Sequence, residues 1–108
     1  MATAMMEDTI PPDSHITAWY ISNPRSTLIA VYVKAKSEVD VHVVTRTESN
    51  GFLHIGETNF DTGPRTALGS QSHRIVTPWP ARHPIVLIIV NRTEKHVHVE
   101  YDVGILAH

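Results

Sequence analysis

Ile85-Val86-Leu87-Ile88-Ile89-Val90 is followed by the polar run Asn91-Arg92-Thr93-Glu94-Lys95, and then by Val97-His98-Val99-Glu100-Tyr101-Asp102-Val103-Gly104-Ile105. The first run is apolar and branched on both faces, as in a central β-strand. The polar run turns the chain. The third run alternates. Val97, Val99, Tyr101, Val103 and Ile105 fall on one face, and His96, His98, Glu100 and Asp102 on the other. No window of the chain repeats apolar residues at the three- and four-residue spacing of a helix.

Working upstream, Pro78-Trp79-Pro80-Ala81-Arg82-His83-Pro84 reads as a rigid connector, because its three prolines forbid both helix and central strand. Trp79, held between two of them, is expected to lid one end of the core. Further strands are expected at residues 15–21, 27–35, 39–46, 52–55 and 73–77. In the first of these Ile16, Ala18 and Tyr20 share a face. In 39–46, Val39, Val41 and Val43 point inward and Asp40, His42 and Val44 outward. Thr27–Ala35 is apolar on both faces, which suits a central strand or one covered on both sides. Lys36-Ser37-Glu38 between it and the next strand reads as the turn of a hairpin or meander. Asn50-Gly51 is a second hairpin signal. Residues 56–72, with Gly56, Gly63 and Gly69, read as a long loop with one weak strand. Residues 1–14 read as a flexible arm, broken by Pro11-Pro12, which could pack on its own domain or a neighbour through Met5, Met6 and Ile10. Residues 15–108 then form one domain. The sequence therefore predicts an all-β fold: an antiparallel, jelly-roll-like sandwich of seven to eight strands with no substantial helix.

Composition narrows the function. The chain has 108 residues, 42% hydrophobic and 19% charged, with a formal charge of -2. That is a globular chain without the basic excess of a nucleic-acid binder. It has no cysteine, which excludes disulfides, thiolate metal sites and a cysteine nucleophile. No run is long and apolar enough to span a membrane as a helix. The first residues lack the basic start and apolar core of a signal peptide. A cytoplasmic location is expected, or a domain taken from a longer protein.

Eight histidines are the chemical feature of the chain. His96, His98 and Glu100 share a strand face, and two imidazoles at i and i+2 with a carboxylate can ligate a divalent metal. His42 would join them if its strand lay nearby. The plain alternative is the solvent face of a half-buried strand. The His-x-His-x-Glu string resembles the first metal motif of cupins only in part, since its glutamate comes too soon and no second motif follows. Phe60-Asp61-Thr62-Gly63 resembles the aspartic-protease signature, but the residues around it are polar, and Asp61 reads as turn chemistry. No serine elbow or phosphate loop is present. A carbohydrate site would need an exposed aromatic beside Asn or Asp, for which Trp79 with Asn59, Asp61 or Asn91 are the candidates.

Three stretches carry a family resemblance: Leu28 to Ala35 with Val39-Asp40-Val41-His42-Val43-Val44, Ile85–Asn91, and Val97 to Val103. They resemble small bacterial sandwich domains of the pre-peptidase C-terminal and GOLD type. The resemblance implies a non-catalytic accessory or interaction module and transfers no functional residue. The expected function is thus binding or assembly without catalysis and without a cofactor, through a protein partner or a second copy at a free sheet edge. A divalent-metal site and a carbohydrate site are the alternatives.

Overall fold

The computed structural model describes residues 5–20, 24–46, 51–58 and 71–107. They form eight strands: β1 Met6–Ile10, β2 His15–Tyr20, β3 Thr27–Ala35, β4 Val39–Arg46, β5 Phe52–Thr58, β6 Gln71–Trp79, β7 Ile85–Asn91 and β8 Val97–Ala107. All pairings are antiparallel, in two four-stranded sheets. One has the order β1-β8-β3-β6 and is called the β1 sheet. The other, β2-β7-β4-β5, is the β2 sheet. This is a jelly-roll arrangement. Among the described residues there is no helix, and none long and apolar enough to cross a membrane.

Alternation builds the core. Ile29, Val31 and Val33 of β3 and Val97 and Val99 of β8 face Val39, Val41 and Val43 of β4 and Ile85, Leu87 and Ile89 of β7, each at most 1% exposed. β3 and β7 are central strands, as their branched apolar sequence demands. The outer face of β3 is nonetheless open, with Leu28 and Tyr32 exposed. The inward alternation of β8 holds as far as Val103. Ile105 is exposed, near a register shift between Leu28 and Ile29 of the paired strand.

Three expectations are corrected. First, β3 and β4 do not form a hairpin. Lys36-Ser37-Glu38 carries the chain from one sheet to the other, and β7 and β8 likewise lie in opposite sheets. The physical reason is that each strand has an apolar face, and two such faces bury more surface across a sandwich than side by side. Of the consecutive strands only β4 and β5 pair.

Second, the segment expected to be a flexible arm supplies β1, paired with β8 from Met6↔Tyr101 to Ile10↔Val97. Ile10 anchors it, fully buried in the core. Pro11-Pro12 ends this strand and turns the chain toward β2. Asp13 takes a left-handed φ of 51° there, a conformation that Asp tolerates.

Third, the expected proline connector begins later. Pro78 and Trp79 belong to β6. β6 is an edge strand, where a missing N–H costs no ladder bond. Trp79 is buried, and its indole N–H donates to the His83 carbonyl at 2.6 Å.

Candidate functional site

The outer face of the β2 sheet carries an apolar depression of about 310 Å³, lined by Thr17, Trp19, Val44, Phe52, Val86 and Ile88. Its floor follows from the ladder. Trp19 lies opposite Val86 and Val86 opposite Val44, while Thr17 lies opposite Ile88. On β7 this face is branched and apolar because both faces of that strand are apolar in sequence. Trp19 is 53% and Phe52 58% exposed. Their rings meet edge to face, with centroids 6.2 Å apart.

A polar cluster sits at the rim. His42 lies opposite Ile88, and His54 lies opposite Val44. His54 Nε2 is 3.2 Å from His42 Nδ1, and Glu57 Oε2 is 3.6 Å from the same nitrogen. The two rings meet at 74° with centroids 5.2 Å apart. His54 and Glu57 are three residues apart, so a regular strand would put them on opposite faces. A bulge brings them together. Val43 pairs with Gly56 and Val44 with His54, which leaves Ile55 as the extra residue.

The opposite sheet fixes the bulge. Thr77 Oγ1 of β6 donates to the Ile55 carbonyl at 2.7 Å. Gly56 approaches β6 so closely that a Cβ there would lie 2.5 Å from Ile75 Cγ2. Glycine at position 56 thus permits the close approach, and the approach holds the cluster's geometry.

The metal set expected from sequence divides between two faces. His98 and Glu100 lie on the outer face of the β1 sheet, where Glu7 of β1 joins them. His98 Nε2 is 3.3 Å from Glu7 Oε1. His96 precedes β8, is exposed and stands outside this group. His42 is on the other sheet altogether. Its strand, β4, lies between β7 and β5 in the β2 sheet, whereas β8 lies between β1 and β3 in the β1 sheet. The carbohydrate candidates also separate. Trp79 turns its ring into the core rather than to solvent, because burying a large indole stabilises more than exposing it. Asn59 and Asp61 lie outside the described residues. Asn91 is fully buried. The exposed aromatic pair on the surface is instead Trp19 and Phe52. The sequence signal for Trp19 was its outward position in the first alternating strand.

Of the remaining histidines, His73 is in the interior, 3% exposed on β6. Burial holds its pKa below the ordinary value of 6.5, against a smaller opposing pull from the Asp40 carboxylate.

No family model and no curated protein matches the sequence. Solved structures match the fold. A mitogen derived from Yersinia pseudotuberculosis superposes with a TM-score of 0.64 and 11% identity, over 95% of this chain and 85% of that one. A CBM4 structure superposes with a TM-score of 0.57 and 11% identity, over 96% and 84%. At this identity the likeness is one of fold. Both are β-sandwich proteins rather than pre-peptidase or GOLD-type domains, so the resemblance read from sequence extends to the sandwich architecture and no further.

Proposed function

We propose that this protein is a non-catalytic binding module that associates with a second copy of itself along β2, with the Trp19–Phe52 depression forming part of the contact. The state of the four sheet edges carries this reading. Exposed edges are normally blunted by short length, charge, proline or bulges. β1 is five residues long and includes Glu7 and Asp8. β5 is bulged. β6 contains Pro78. β2, HITAWY, is also short, but it carries no Asp, Glu, Lys, Arg or proline and no bulge, and it pairs with β7 in unbroken register from His15 to Tyr20. Among the described residues nothing pairs with its other side.

A second β2 running antiparallel would continue the ladder and bring the two apolar depressions together on one face, with a two-fold axis between them. Sedimentation velocity over a concentration series tests this. The wild type should self-associate. Thr17→Lys, which places a charge on this edge, and Trp19→Ala should both shift the protein toward monomer without loss of folding. A wild type that stays monomeric throughout the series overturns the reading.

A carbohydrate ligand is the second reading. It is favoured by one observation: an exposed indole on the same sheet face as a cluster of histidine and carboxylate side chains. The fold likeness to the CBM4 structure, a carbohydrate-binding module, supports this reading. Glycan-array binding that is lost in Trp19→Ala would favour it over self-association.

A further inference from the structure

We infer that His42, His54 and Glu57 form a three-ligand site for a divalent transition metal of the zinc type, at the rim of the apolar depression. One ligand atom from each residue lies within 4.8 Å of the other two. In a tetrahedral zinc site with bonds of about 2.0–2.1 Å, the ligand atoms stand roughly 3.3 Å apart. The His42–His54 and His42–Glu57 separations, 3.2 and 3.6 Å, fall on either side of that spacing.

The donors are two imidazole nitrogens and a carboxylate oxygen, the set that suits zinc, nickel or copper rather than calcium. Of these donors, one imidazole can lend its N–H to the other, with the direction set by the tautomer. A shared proton joins two of them; a divalent ion joins three.

The site is also preorganised. Its geometry depends on the Ile55 bulge, and that bulge is clamped from the opposite sheet by the Thr77 hydroxyl and by the close approach of Gly56 to Ile75. A site on two paired strands with such support holds its ligands more closely than one on a loop. The exposure of His54 and Glu57, with His42 half-buried, leaves a coordination position open to water or to a ligand seated in the depression. The Glu7–His98–Glu100 group has only one imidazole, and Lys34 stands in ladder register with Glu100. It reads as a polar solvent face.

Calorimetric titration of the full chain with zinc tests the site, with cobalt absorption as a second readout. Saturable, stoichiometric binding is expected, with the intense visible bands of tetrahedral cobalt. His42→Ala and His54→Ala should each weaken binding at least about tenfold, since loss of a direct ligand costs more than the outer-shell changes that have that size. Glu57→Gln should weaken it as well. His98→Ala should leave it unchanged. Absence of saturable binding overturns the inference, as does binding that survives His54→Ala. The inference stands apart from self-association, because a monomer that binds zinc in this pattern still satisfies it.

Discussion

The side-chain amide of Asn91 donates to the Ile10 carbonyl at 3.0 Å and so ties the end of β7 to the end of β1, in the opposite sheet. The same nitrogen reaches the Pro11 and Lys95 carbonyls at 3.0 and 2.7 Å, sharing its two hydrogens among three acceptors. Its oxygen accepts from the Thr93 N–H and hydroxyl at 2.9 and 2.7 Å. The backbone continues the link, with Asn91 N–H donating to Ser14 and Asp13 N–H to Thr93. Two crossings between the sheets, Pro11 to Ser14 and Arg92 to His96, are stacked through one fully buried asparagine.

Asn91→Ala should therefore cost about 3 kcal/mol, because it leaves the buried Ile10 carbonyl and two part-buried carbonyls without their donor at once. Urea denaturation measures the loss. Asn91→Asp should cost at least as much, since it sets a carboxylate against the same three carbonyls. A loss within the ordinary range of a surface substitution would mean that water replaces the amide.

Gly56→Ala should destabilise the protein by about 1–3 kcal/mol, the usual range for forcing atoms into a filled core. The added methyl meets Ile75 Cγ2. Ile75→Ala removes that atom, so the double variant should be more stable than the sum of the single losses predicts. Additive losses would show that the clash is relieved by backbone movement instead.

His73 sets a pH dependence. Its folded pKa lies below the unfolded 6.5, so on acidification the unfolded chain binds the proton first. The stability this residue contributes is full above 6.5 and falls as the pH drops through 6.5 toward the lower folded value. Melting temperature measured across that window should decline on the acid side, and His73→Gln should make the decline shallower. An unchanged slope in the variant would assign the decline to other groups.

Trp19→Ala and Phe52→Ala should each change monomer stability by no more than about 1 kcal/mol, because both side chains are exposed. Thermal melts at low concentration check this. A large loss would mark the pair as structural rather than as part of a binding face.

The strands with strong two-residue periodicity were legible in sequence. Thr27–Ala35 and Val39–Arg46 have the bounds expected for them, and the inward valines of the second are the ones its alternation names. Pairing was less legible. A short polar turn such as Lys36-Ser37-Glu38 serves a hairpin or a crossing equally well, and the choice is made by long-range burial. β1 was hidden because four of its five residues, Met6 to Thr9, are exposed, with Glu7 and Asp8 among them, and a single residue, Ile10, anchors it.

The rim cluster was hidden for a different reason. His54 and Glu57 share a face only through the Ile55 bulge, and its determinants, Thr77 and Ile75, lie on another strand. Gly56 inside an otherwise strand-like run was the local trace of that bulge.

Hydrogen exchange read strand by strand at low and high protein concentration tests self-association along β2 most directly. Amides in His15–Tyr20 should become more protected as concentration rises, while those of the blunted edge β1 do not, and Thr17→Lys should abolish the change. Protection in β2 that is independent of concentration would contradict self-association.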